Sequence, residues 1–232
     1  MTNRLFPVSI AIALFAFAAF AAPGLYVEQT TGGNDNTHLT KIYAASDRFR
    51  AEEGNTITIG RNDKGVVWLF DTTDKSYIEM PQSMLKELAS LGQASTGEPG
   101  KDPGLRGDAY YRTGKTKKIG EWDCYEVALD PKQRSGMLEV VDEQSLWIST
   151  KAYPGAISYF EWIFQALGIS RGDLDKMKTV FGDGFPIETR MVAMGNVTTT
   201  RVVKLESRDH PNALFEPLTG YRKDSLEQMF GK

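Results

Sequence analysis

The most constraining feature of this chain is a succession of short β-rich segments, each closed by residues that reverse the backbone. Segments 25–31, 37–45, 48–53, 55–61, 66–71 and 75–80 are separated by Gly32-Gly33-Asn34-Asp35-Asn36, Ser46-Asp47, Gly54, Asn62-Asp63-Lys64-Gly65 and Thr72-Thr73-Asp74. Asn, Asp and Gly dominate these junctions because they accept turn geometry, and glycine adopts positive φ without steric cost. In 55–61, Ile57 and Ile59 fall on one face and Thr56 and Thr58 on the other. That period of two is the signature of a half-buried strand. Val66 to Phe70 is apolar throughout, as expected for a strand covered on both faces. Segments this short, joined this tightly, predict an antiparallel meander.

The second half repeats the pattern with helices inserted. Strands are predicted over 110–118, 122–129, 137–141 and 146–150, followed by a long hairpin, 185–194 and 197–208, turning at Gly195-Asn196. Helices are predicted over 82–91, over 155–167, and from a capping box at Ser170-x-x-Asp173 with Leu174, Met177 and Phe181 inward. A short tail helix is expected near 225–230. Strand and helix do not alternate, which excludes a doubly wound nucleotide-binding sheet. The expectation is a mainly β (α+β) chain forming one domain over 22–232. Residues 92–107, with five Gly and two Pro, form a flexible insertion within it.

Residues 1–21 read as a signal peptide. Arg4 precedes an apolar run from Leu5 to Phe20, and Ala19-Phe20-Ala21 is the small-x-small pattern of a cleavage site. The run is short for a spanning helix, which needs about 20 residues, and no Cys follows it to carry a lipid anchor. Export to the periplasm is therefore expected, with at most peripheral membrane association. The mature chain would hold 26 basic and 30 acidic residues, a net charge of −4. An acidic balance argues against nucleic acid as a partner.

Catalytic signals have simpler explanations. Gly114-Lys115-Thr116 resembles the end of a phosphate loop, but Ala109 stands where its first glycine belongs. Cys124, the single cysteine, shares a strand face with Trp122 and Ala128, which suits a buried thiol better than a nucleophile. Two histidines, His38 and His210, are too few for a dedicated metal site, and no Gly-x-Ser-x-Gly elbow occurs. Asp63 and Asp71 are explained by turn formation. No catalytic residue, metal or cofactor is expected, and an enzyme is not the expected class.

Apolar and aromatic residues are the distinctive resource. Phe160, Trp162, Ile163 and Phe164 belong to a helix whose apolar residues occupy most of its circumference, where a surface helix needs only one stripe. Either the helix is wholly buried, or part of its surface is a lid kept for a greasy ligand. Trp68, Phe70, Trp147, Met191 and Met194 would then line a cavity from the strands, or simply pack the core.

Several of these residues also fall in recognisable motifs. Asp63-x-Gly65-x-x-Trp68-x-x-Asp71, with Tyr77-Ile78-Glu79-Met80-Pro81, resembles an uncharacterised family of exported bacterial domains. Ile119-Gly120-Glu121-Trp122-Asp123-Cys124 resembles that family's Ile-x-Gly-aromatic-x-Cys strand, with Glu121 where glycine is usual. Leu146-Trp147-Ile148-Ser149, Leu214-Phe215-Glu216 and Gly220-Tyr221-Arg222 continue the match. The family is similar to periplasmic lipoprotein carriers of the LolA and LppX kind. This resemblance implies an unclosed antiparallel β half-barrel with helices plugging its concave face, and a lid latched by an arginine, here Arg48 or Arg50. It implies a binding or carrier protein for a lipid, acyl chain or lipidated partner in the cell envelope. The alternative is a non-catalytic structural or interaction protein, docking other envelope proteins, whose half-barrel is filled by its own helices.

Overall fold

The computed structural model describes residues 24–33, 37–84, 108–133, 141–153, 156, 159–161 and 170–225. The predicted signal peptide, the 92–107 insertion and Trp162, Ile163 and Phe164 lie outside them, as does most of the 82–91 helix and of the tail helix.

Among the described residues there are twelve strands: β1 Leu25–Gly32, β2 Thr37–Ala45, β3 Arg48–Glu53, β4 Thr56–Arg61, β5 Val66–Asp71, β6 Ser76–Pro81, β7 Tyr110–Ile119, β8 Trp122–Leu129, β9 Val141–Ser149, β10 Pro186–Ala193, β11 Asn196–Ser207 and β12 Arg222–Lys223. They form one sheet in the order β12-β6-β5-β4-β3-β2-β1-β11-β10-β9-β8-β7. Every pairing is antiparallel except that of β12 with β6. The outermost strands, β7 and β12, do not meet, so the sheet is unclosed.

Two meanders are joined where the first strand meets the eleventh. β1 pairs with β2 on one side, Leu25 opposite Ala44, and with β11 on the other, Leu25 opposite Ser207. Local turn chemistry sets the hairpins within each half. Gly120 takes φ 57° in the two-residue turn between β7 and β8, so the position that must be glycine is Gly120 and Glu121 fits beside it. The last hairpin turns at Met194-Gly195, both at positive φ, one residue earlier than predicted. Met194 is consequently 74 % exposed and lines nothing.

The strand predicted over 146–150 is corrected to a longer β9, which starts at Val141 and runs through Asp142-Glu143-Gln144, while residues 137–140 of the strand predicted over 137–141 lie outside the described residues. Those polar residues break the apolar pattern but not the ladder. Glu143 faces Val192 across the strands, and its carboxylate pairs with Arg190 at 3.0 Å.

The helix α1, Arg171–Phe181, begins as the capping box requires, with Ser170 Oγ accepting from the Asp173 amide at 3.2 Å. Its buried Leu174 and Met177 point inward, and Met177 packs against Val127, Leu129, Leu146 and Ile148. On β8, Trp122 and Cys124 pack instead against Tyr153, Ala156 and Tyr159. Side chains alternate along a strand, so β8 is covered on both faces.

Candidate binding site

The segment that follows β9 is fixed by its backbone before its side chains are considered. Ser149 donates its amide to the Phe185 carbonyl at 2.9 Å, its Oγ accepts from the Phe185 amide at 2.9 Å, and Tyr153 donates to the Asp183 carbonyl at 3.3 Å. Tyr153 is thereby placed where its hydroxyl accepts from Trp122 Nε1 at 2.7 Å. The chain then turns helical, with Ala156, Tyr159, Phe160 and Glu161 in helical conformation. Glu161 forms an ion pair with Lys178 of α1.

This short helical stretch reaches both halves of the sheet. Tyr159 meets Phe49 of β3 edge-on at 6.3 Å between ring centres, Phe160 lies 5.5 Å from Tyr159, and Phe185, which leads into β10, lies 5.3 Å from Phe160. β3 and β8 are six strand positions apart, about 29 Å in a flat sheet at about 4.8 Å per strand. Side chains of both strands nevertheless join the same apolar cluster. The sheet must curl around Tyr153, Ala156, Tyr159 and Phe160 for that to occur. Trp147 and Phe160 sit at the margin of this cluster, partly buried. Lys117 Nζ stands 4.0 Å above the Trp147 ring and 2.8 Å from Glu188, which also takes Arg201 Nε at 2.9 Å. Burial alone would push the Glu188 carboxyl up, but these two cations hold it below its ordinary value.

The other residues expected to line a cavity with Trp147 and Phe160 lie elsewhere. Trp68 and Phe70 pack with Ile59 against Phe215, under the C-terminal segment. Met191 packs at the edge of the cluster beneath α1. The structure brings Trp147 and Phe160 together and leaves Trp68, Phe70 and Met191 in two separate clusters.

Arg48 and Arg50 hold a different segment from the central helix. Arg48 Nη1 donates to Asn212 Oδ1 at 3.1 Å and its guanidinium lies 5.8 Å from the Phe215 ring centre. Arg50 Nη1 donates to the Leu214 carbonyl at 3.4 Å. Both secure the 3-10 turn Asn212–Phe215. The residue missed from the sequence is Arg61, buried at the end of β4, which bonds Asp63 at 2.6 Å and also pairs with Glu216. Hydrogen bonding to Arg61 pulls the Asp63 carboxyl below its ordinary value, and Lys64 together with Arg61 does the same for Glu216. The motifs around Asp63 and Glu216 were visible, but their partnership across 152 or more positions was not.

Chemistry at the remaining candidates is quiet. Burial pushes the Cys124 thiol up, and its polar neighbour is the Trp122 carbonyl at 3.6 Å. His210 Nε2 is bonded to the Leu25 carbonyl at 3.0 Å, while His38 is exposed. Among the described residues no three His, Cys, Asp or Glu are grouped to hold a metal, and no helix is long and apolar enough to cross a membrane. A cleft of about 360 Å³ between Thr30, Gly32, Thr37, Val197 and Arg201 is mostly polar and includes none of the expected lining residues.

An unclosed antiparallel sheet curled around an aromatic helical segment, with its C-terminal strap latched by arginines, defines a half-barrel protein. The chain belongs to the family described as domain of unknown function (DUF4412), whose model matches residues 26–221. No curated protein matches it. Among solved structures it is similar to PNGF-II, at 9 % identity and a TM-score of 0.41, covering 90 % of this chain and 32 % of that one. The chain thus spans about a third of the PNGF-II chain. It is also similar to the MucA/MucB complex structure of Pseudomonas aeruginosa, at 9 % identity, 87 % and 58 % coverage and a TM-score of 0.44. A LolA superfamily protein from Nitrosomonas europaea is similar at 12 % identity, 85 % and 91 % coverage and a TM-score of 0.33.

Proposed function

We propose that this chain is an exported, non-catalytic binding protein of the cell envelope that takes an acyl chain, a lipid or a lipidated partner. The observation that carries the reading is the aromatic-rich interior formed where strands six positions apart curl around Tyr153, Ala156, Tyr159 and Phe160. Apolar walls of this kind suit a hydrocarbon chain, each buried methylene contributing about 0.8 kcal/mol. Trp147 and Phe160 form the proposed wall; Trp162, Ile163 and Phe164, which follow Phe160 in the sequence, lie outside the described residues. The periplasm is the proposed location, from the leader-like residues 1–21.

The test is native mass spectrometry of the protein isolated from its own envelope, with uptake of a fluorescent fatty acid by wild type and Phe160→Asp. A stoichiometric acyl-lipid adduct and loss of uptake in a folded Phe160→Asp variant are expected. A bare protein mass and no uptake by wild type would overturn the reading.

A second reading is favoured by one observation: Tyr153, Ala156 and Tyr159 are themselves buried in that interior. A half-barrel filled by its own side chains would serve as an envelope interaction protein, and the bare mass is its expected result.

A further inference from the structure

Four tyrosines of the described chain are buried: Tyr26, Tyr110, Tyr153 and Tyr159. A buried hydroxyl has left water and needs a replacement partner. Tyr26 donates to Glu28 at 2.5 Å, Tyr110 donates to Gln144 Oε1 at 2.7 Å, and the Tyr153 hydroxyl accepts from Trp122 Nε1 at 2.7 Å. The Tyr159 ring is held by Phe49 and Phe160, but among the described residues its hydroxyl has no hydrogen-bond partner. It sits in the apolar cluster around which the sheet curls. Phenylalanine would pack the same ring without a donor that the described residues leave unpaired.

We infer that the Tyr159 hydroxyl is the polar contact for a ligand, donating to the carbonyl oxygen of an acyl ester or amide, so that the site selects acylated molecules over plain hydrocarbons. The inference rests on the acyl-binding reading and deepens it. An O–H donor inside an apolar pocket discriminates by what it leaves unpaired: a ligand without an acceptor keeps the hydroxyl orphaned, whereas a carbonyl satisfies it. A phospholipid and a lipidated protein both supply such a carbonyl. Tyr159 acts here as a specificity-determining residue.

The experiment compares two fluorescent probes of matched length, 12-(1-pyrenyl)dodecanoic acid methyl ester and 1-dodecylpyrene, on wild type and Tyr159→Phe, with thermal unfolding of both unliganded proteins. The expected result is a wild-type preference for the ester of roughly tenfold, the size of one net hydrogen bond. Tyr159→Phe should lose that preference by weakening the ester alone, while unfolding at the same temperature as wild type or higher. Displacement of the ester by a diacyl phospholipid or by an N-acylated lipopeptide is expected, and which of them competes identifies the source of the carbonyl. Equal binding of both probes by wild type, or an ester preference that survives in Tyr159→Phe, overturns the inference while leaving the acyl-binding reading intact. Binding of neither probe by wild type overturns both.

Discussion

Arg61 is the residue on which the C-terminal strap depends. Its side chain is 6 % exposed and is answered by Asp63 on its own hairpin and Glu216 on the strap. Removing this buried cation takes from Asp63 its ion-pair partner and leaves Glu216 with Lys64 alone, but Asp63 and Glu216 are 35 % and 44 % exposed and water takes up part of that loss. Arg61→Met should therefore destabilise by about 2 kcal/mol in urea unfolding at neutral pH. Both carboxyls have depressed folded values, so their contribution is complete above the ordinary carboxylate range and is lost as pH falls through the folded values. The gap between wild type and Arg61→Met should accordingly narrow as the pH is lowered below about 4. A gap that stays constant across that range would show that packing, not charge, sets it. Nothing in the residue type marks Arg61 out from Arg48 and Arg50, since all three sit in short adjacent strands; burial separates them.

Elements were the most legible level. β2, β3, β5 and β8 have the bounds that their turn residues and alternation predict, because hairpin register is set by contacts a few positions apart. Asp142 and Glu143 interrupt the apolar pattern of β9, and only the partner strand, with Arg190, shows why they are tolerated within it. The entry to β10 depends on a feature of the same kind. A Cβ on Gly184 would lie 2.0 Å from the Ser149 carbonyl oxygen and 2.8 Å from Ile148 Cγ2. Gly184→Ala should separate the end of β9 from the start of β10 and cost about 3 kcal/mol. Amide exchange at Ser149 and Phe185, which bond each other there, should accelerate in the variant, while exchange in β4 and β5 stays unchanged. Uniform acceleration throughout the sheet would contradict a local lesion.

The whole molecule is organised by two contacts between distant parts of the chain: β1 with β11, and the strap with β3 to β6. The strap, from His210 through β12, covers Tyr43, Ile59, Trp68 and Phe70, with Phe215 and Tyr221 as its main apolar contacts. Ending the chain at Asp209 should uncover that apolar surface, giving increased binding of a hydrophobic dye and self-association on size exclusion. A truncated protein that stays monomeric and dye-silent would mean that another segment covers the face. Trp68 and Phe70 were read as cavity lining for a physical reason: an aromatic residue on a strand looks the same whether a ligand or the chain's own tail covers it.

By itself the sequence determined the meander, most strand bounds to within one residue, the capped helix and the apolar character of the 155–167 stretch. All of these depend on periodicity and turn chemistry within about ten residues. Tertiary structure alone decided that β1 joins β11, that the arginines grip the tail, and that the Tyr159 hydroxyl is buried without a hydrogen-bond partner among the described residues. Each of those is a meeting of groups far apart along the chain or a matter of burial, and side-chain identity carries no record of which distant surface it will face.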